Sequence, residues 1–142
     1  MSLFSFSGTP PTDLGVTDGK LKSCPDTPNC VCSYTPADDK EHVIAPFAYT
    51  GSAKDAIAKL KQIIESMERS TINVVSDDYL YAEFSSKLMG FVDDVEFYAP
   101  AGESVIHTRT AARLGKSDLG VNRKRTEEIR QKFQAANLAS NR

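Results

Sequence analysis

The stretch YLYAEFSSKLMGFVDDVEFYAP, residues 79–100, decides the fold. Apolar and polar residues alternate on both sides of its middle segment, which contains the turn-forming pair Met89–Gly90. Side chains of a strand point alternately to opposite faces of a sheet, so a period of two indicates half-buried strands. The stretch therefore predicts two neighbouring strands of an antiparallel sheet.

Further strands are indicated on either side of this stretch. The runs STINVVS (70–76) and SVIHTRTAA (104–112) are rich in β-branched residues and are bounded by turn signals. The run VIAPFAYTG (43–51) is a weaker candidate for an edge strand, because Pro46 has no N–H to donate to a central ladder. The sequence thus predicts an antiparallel sheet of four to five strands.

Two amphipathic helices are predicted, one before and one after the four-strand meander. In residues 52–67 apolar residues recur three or four apart after Ser52, which suits the N-cap position. The second helix begins near Val121 or Asn122 and extends to about Leu138. Each helix has one apolar stripe to bury, so we expect an α+β two-layer sandwich with both helices on one face of the sheet.

Strand alternation divides the sheet residues into two sets. Asp93 falls on the inner side, where a buried carboxylate needs a partner, and either Arg113 beyond the strand end or a backbone donor is expected to supply it. The set predicted to lie under the helices is Leu80, Ala82, Phe84, Val95, Phe97 and Ile106. The set predicted to lie on an open face is Tyr81, Glu83, Glu96, Tyr98, His107 and Arg109.

Length and charge limit the classes of protein. The 142 residues suit a single globular domain, placed at 24–138 between an irregular arm (1–23) that lies across the domain and a short tail (139–142). The 17 basic and 19 acidic residues give a net charge of −2, which argues against nucleic-acid binding. No apolar run is long enough for a membrane span, and the N-terminus lacks the features of a signal peptide. We therefore expect a cytoplasmic protein.

The segment CPDTPNCVCSYTPADDKEH, residues 24–42, is predicted to be loop because it has three prolines. Its cysteines with His42 do not have the spacing of a structural zinc site, so no metal or cofactor is expected. A disulfide between Cys24 and Cys30 is sterically possible around the proline-rich turn. Reduced thiols are the default for a cytoplasmic protein, and Cys32 fits neither arrangement.

The segment RTAARLGKSDLGVNRKR, residues 109–125, has six positive charges and one carboxylate. It is predicted to end a strand, form a polar loop and begin a helix, and such a joint can bind an anion through backbone N–H groups. Arginines in a first helical turn oppose the helix dipole, which is understandable if an acidic group lies there. That group is either internal (Asp118, Asp93 or Asp94) or an external anion or acidic partner.

The catalytic motifs of common hydrolases and nucleotide-binding enzymes are absent from the chain. We therefore expect no catalytic residue and a protein that is not an enzyme. An alternative is a hydrolase or isomerase that uses His107 with Glu96 or Asp118 as an acid–base pair. Another alternative is a self-associating structural domain whose open sheet face forms a homodimer.

Three stretches, CPDTPNCV (24–31), residues 79–97 and VIHTRTAARLGKSDLGVNRKR (105–125), resemble the domain-of-unknown-function 1499 family. The resemblance covers about residues 24–133, and the sequence of this chain is most similar to cyanobacterial members. It implies no activity, because the family has none established. The chain departs from the family pattern at Cys32, where a Ser-like residue is usual, and at Ser85, where Arg is common.

The expected function is binding of an anionic small molecule or a partner protein, through the open sheet face and the loop 113–125. Flat tyrosine rings would supply contact area, and charged groups would supply directional contacts. The candidate ligand-binding residues are Arg109, Arg113, Ser117, Asp118, Asn122, Arg123, Arg125, Glu96, His107, Tyr81 and Tyr98.

Overall fold

The computed structural model describes residue 8 and residues 10–86, 90–114 and 120–140. Two helices and six strands make up a mixed α+β fold. In chain order they are β1 (Cys30–Cys32), β2 (Phe47–Ala48), α1 (Ala53–Glu65), β3 (Ser70–Val75), β4 (Tyr79–Ser85), β5 (Val92–Tyr98), β6 (Val105–Ala112) and α2 (Val121–Ser140).

The strands form one open antiparallel sheet in the order β1-β6-β5-β4-β3, and β2 also pairs with β6. The predicted meander of β3 to β6 is confirmed, and the predicted count of four to five strands is wrong. The missed strand is β1, inside the segment predicted to be loop. The prolines of that segment lie on both sides of Cys30–Cys32, which leaves the strand free to pair with Ala111 to Arg109.

The hydrophobic core contains all six strand residues that were predicted to face inward. They belong to one buried cluster with Ile57, Leu60 and Ile64 of α1 and with Ile129 and Phe133 of α2. Helix α1 begins where its sequence predicts, with the Asp55 backbone N–H donating to Ser52 Oγ at 3.1 Å. Among the described residues, neither helix is long and apolar enough to cross a membrane.

The sheet face opposite this core is not open, which corrects the expectation of a bare face. Six of the seven residues of β5 are buried, and Glu96 and Arg109 are only 1% and 6% exposed. The arm provides part of the cover, since the Gly15 backbone N–H donates to Glu96 Oε2 at 2.7 Å. Tyr34, from the segment after β1, stacks on the His107 ring at 3.8 Å.

Cys24 and Cys30 form a disulfide, with their Cα atoms 5.7 Å apart. The expectation of reduced thiols is therefore wrong for this pair. Cys32 is a free, buried thiol, and burial raises its pKa. No group of three or more His, Cys, Asp or Glu side chains within the described residues is arranged to hold a metal ion.

Replacing the disulfide by Cys24→Ser with Cys30→Ser should lower the free energy of unfolding by about 2 kcal/mol. The loss is modest because the cross-link closes a short loop, and the entropy removed from the unfolded chain grows with loop length. Urea unfolding with and without a reductant measures it. The double variant is its own control and should not respond to reductant. An equally unresponsive wild-type chain would contradict the prediction.

Candidate functional site

The polar sheet face is the side of β4, β5 and β6 that carries Tyr81, Glu83, Asp94, Glu96 and Arg109. Antiparallel register places these residues next to each other, with Glu83 opposite Asp94 and with Glu96 between Tyr81 and Arg109. Alternation along each strand puts them all on the side away from the core. Five polar or charged side chains thus share one largely covered surface, which requires an explanation of how their charges are balanced.

Arg113 balances the carboxylates at one end of the polar sheet face. Its Nε and Nη2 donate to the two oxygens of Asp94, each at 2.9 Å, and Nη2 also donates to Glu83. Tyr81 Oη donates to Asp94 Oδ1 at 2.5 Å. The hydrogen bond to Asp94 raises the pKa of Arg113, and burial raises the pKa of Tyr81 to about 12. The Arg113 side chain is only 5% exposed, and two of its three guanidinium nitrogens donate to internal partners.

Glu96 is satisfied on one oxygen only. Its Oε2 accepts from Tyr79 Oη at 2.5 Å and from the Gly15 backbone N–H at 2.7 Å. Its Oε1 is buried and has no partner among the described residues. Burial raises the pKa of Glu96, and the Tyr79 hydrogen bond and the nearby Arg109 charge offset this only in part. A carboxylate is therefore held beside Arg109 in an environment that disfavours its charge.

Arg109 is buried and has no polar partner within the described part of the chain. Among the described residues, none accepts a hydrogen bond from its guanidinium or forms an ion pair with it, and its Nε is covered from solvent. It lines a cavity of about 440 Å³ between the arm, the 25–29 segment and the end of β6. The charged residues around this cavity, besides Arg109, are Asp13, Lys22, Asp94 and Arg113.

The other arginines predicted as ligand contacts have internal partners. Arg125 Nη1 lies 2.9 Å from Asp93 Oδ2, so Arg125 and not Arg113 is the partner that this inward carboxylate needs. The difference arises because Arg113, just beyond β6, reaches Asp94 on the opposite face instead. Arg123 donates to the backbone carbonyls of Lys40 and Glu41 at 3.4 and 3.3 Å.

Asn122 is fully buried at the start of α2 and accepts from Thr110 Oγ1 and from Arg125 Nη1. These contacts tie the helix to β6. The predicted contacts at Ser117 and Asp118 lie outside the described residues.

His107 has partners other than the predicted ones. Its Nδ1 is 2.8 Å from Ser33 Oγ, and its Nε2 is 3.7 Å from Glu103 Oε1, whereas Glu96 is engaged by Tyr79 and Gly15. Burial lowers the pKa of His107. Tyr98 lies opposite His107 in the β5–β6 register. The structure therefore does not bring His107 and Glu96 together as an acid–base pair.

Sequence reasoning missed the residues that cover the polar sheet face. Gly15, Lys22 and Ser33 come from segments with no periodic pattern, and Gly15 acts through its backbone. The available signal was the unusual number of charged residues at alternate positions of β4 to β6, which indicates that something must cover or neutralise them.

The family model described as "Protein of unknown function (DUF1499)" matches residues 20–133. The chain belongs to this family. No curated protein matches it. The DUF1499 match includes β1 to β6, and with them Arg109, Glu96 and the Arg113 network.

In this DUF1499 chain, Arg113→Met should lower the free energy of unfolding by about 3 to 5 kcal/mol. The substitution leaves Asp94 buried without its cation, and a stranded buried charge is strongly destabilising. Arg123→Met is the control and should cost under about 1 kcal/mol, because the partners of Arg123 within the described part of the chain are two exposed backbone carbonyls. Adding Asp94→Asn to Arg113→Met should recover part of the loss in a double-mutant cycle of urea unfolding. Additive losses would contradict the network.

Glu96→Gln should change how stability depends on pH. The folded pKa of Glu96 lies above its ordinary value of about 4.5, so its contribution to stability is present below that value and is lost as pH rises through the folded pKa. Arg109 and Asp94 carry the charges nearest to it, and Tyr79 and Gly15 donate to it. The unfolding free energy of wild type minus that of the variant should therefore fall as the pH rises above about 4.5 and through the folded pKa. A difference that rises over this interval would contradict the prediction.

Proposed function

We propose that this protein binds a small anionic ligand in the cavity lined by Arg109. The observation that carries the proposal is a buried guanidinium with no acceptor among the described residues. Burying an unpaired charge is expensive, and proteins retain such groups mainly where a ligand completes them. The role we propose is binding rather than catalysis, in agreement with the expectation from the sequence.

The distribution of the other arginines supports this location. The sequence suggested the whole segment from Arg109 to Arg125 as an anion site. Arg113 and Arg125 are matched to Asp94 and Asp93, so the internal acidic groups account for those two charges. Arg109 has no such match, and it shares the cavity with the arm and the 25–29 segment. The proposed site is therefore narrower than the predicted one and includes arm residues that the prediction omitted.

The proposal also assigns the two sides of the sheet. We propose a two-layer arrangement in which α1 and α2 both cover the core face, supported by Leu60 and Phe133 lying in one cluster with Phe97. This leaves the polar sheet face to the arm and the cavity. Disulfides persist in oxidising compartments, so the Cys24–Cys30 bridge leads us to propose such a compartment in place of the cytoplasm expected from the sequence.

Arg109→Met should keep or raise the melting temperature of the ligand-free protein. Removing an unpaired buried charge relieves a cost without stranding a hydrogen-bonded partner, in contrast to Arg113→Met. In thermal unfolding, the melting temperature relative to wild type should therefore be unchanged or higher for Arg109→Met and lower for Arg113→Met.

The same measurement with added anions tests the binding itself. The melting temperature of wild type should rise as sodium acetate replaces sodium chloride, and that of Arg109→Met should not; sodium phosphate is the second anion of the series. Saturation at about 100 times Kd corresponds to about 2.7 kcal/mol of added stability. A strongly destabilised Arg109→Met, or a wild-type chain indifferent to every anion, would refute the proposed site.

A further inference from the structure

We infer that the Arg109 cavity takes a small organic monocarboxylate with an apolar body, and not a phosphate or a polyanion. The inference rests on the proposed function and goes further by naming the class of ligand. It is carried by the charge balance of the cavity, the shape of the available donor and the composition of the walls.

One cation of the cavity lining has no carboxylate in contact with it among the described residues. Three of the described lining residues are cations, and two of these already have carboxylate partners. Lys22 contacts Asp13, and Arg113 contacts both Asp94 and Glu83. Arg109 remains the one described cation of the lining without a carboxylate partner. A single ligand carboxylate could accept hydrogen bonds from its unused N–H groups.

A second negative charge would meet repulsion from three directions. Asp13 and Asp94 line the cavity, from the arm and from β5. Glu96 lies opposite Arg109 in the β5–β6 register, with its Oε1 unpartnered. A phosphate dianion or a polycarboxylate would place its extra charge near these groups, whereas a monoanion places its charge on Arg109 alone.

The donor itself favours a planar anion. A guanidinium is a flat fork whose N–H groups match the two oxygens of a carboxylate. Phosphate sites commonly add backbone N–H groups from a glycine-rich loop or a helix N-terminus. None of the described residues lining this cavity belongs to a helix, and none is a glycine. The described lining thus offers one guanidinium group rather than a set of backbone N–H donors.

Apolar side chains form part of the cavity lining, where a hydrocarbon group could lie. They belong to Pro11, Leu14, Pro25, Ala111 and Ala112, which come from the arm, the disulfide loop and β6. Ligand sites commonly combine some apolar side chains with a few convergent polar groups, and the volume of about 440 Å³ lies in their ordinary range. An apolar body attached to the carboxylate would fill this space.

Isothermal titration of the full, oxidised chain near neutral pH and at constant ionic strength tests the inference. The probes are acetate, butyrate and benzoate on one side, and inorganic phosphate, methyl phosphate and citrate on the other. Butyrate should bind about fifteen-fold more tightly than acetate, because it has two more methylenes and each buried methylene adds about four-fold. Benzoate should also exceed acetate. All three phosphorus or polycarboxylate probes should bind more weakly than butyrate.

Three variants assign the binding to named groups. Arg109→Gln should abolish it, and Arg109→Lys, which keeps the charge and loses the fork, should weaken it about ten-fold. Leu14→Ser should reduce the preference for butyrate over acetate and leave acetate unchanged. Lys61→Gln, which removes one positive charge on the exposed side of α1, is the matched control and should bind like wild type.

The titrations distinguish a failure of the monocarboxylate class from a failure of the anion site at Arg109. Tighter binding of phosphate or citrate that is lost in Arg109→Gln would overturn the monocarboxylate class and uphold the anion site. Butyrate no tighter than acetate would overturn the apolar body. Absence of binding by every probe, or binding unchanged in Arg109→Gln, would overturn the proposed function itself.

Discussion

The contact of Arg113 with Asp94 and Glu83 is the constraint on which the polar sheet face depends. Two carboxylates on adjacent strands cannot be covered by other parts of the chain unless a cation neutralises them. Arg113 does this from just beyond β6, with two of its nitrogens on Asp94 and one shared with Glu83. The arm and the 25–29 segment can then lie close to this side of the sheet. The same contact directs Nε and Nη2 of Arg113 to internal carboxylates, whereas Arg109 has no such acceptor among the described residues.

Glu96 and Arg109 form a different kind of pair on the same face. They are directly opposite in the register of β5 and β6, yet each retains a buried polar atom without a partner. The arm contributes to this state, because Gly15 engages the oxygen of Glu96 that faces Tyr79 and leaves the other one unpaired. Stability alone would favour a direct ion pair or an apolar pair at these two positions. The absence of a direct ion pair between Glu96 and Arg109 is thus a feature that folding does not require.

Much of the fold could be predicted from local pattern. The alternation in residues 79–84 and 92–98 reports which side chains face the core, since a strand with one apolar face leaves that period in the sequence. The cap at Ser52 is local chemistry of the same kind. Strand β1 was missed because the segment around it is rich in proline, which predicts a loop. The prolines lie outside the three paired residues, so they do not prevent the strand.

The candidate site was predicted less well. Arg109 was one of eleven predicted ligand-binding residues. That it has no partner among the described residues depends on the tertiary positions of Arg113, Arg125 and the arm, which the sequence pattern does not give. Asp93 pairs with Arg125 and Asp94 pairs with Arg113. Which arginine pairs with which aspartate depends on the side of the sheet that each arginine approaches. Contacts through backbone groups, such as the one from Gly15, leave no side-chain signal to read.

The position of the arm affects how far results from one family member extend to another. The family match begins at residue 20, whereas Pro11, Asp13 and Leu14 form one wall of the cavity and Gly15 holds Glu96. A fragment trimmed to the matched boundaries would keep the strands, the Arg113 network and Arg109, but it would expose the carboxylate of Glu96 and open one side of the cavity. Ligand screens on such a fragment would sample a different surface from that of the full chain, even with every matched residue unchanged.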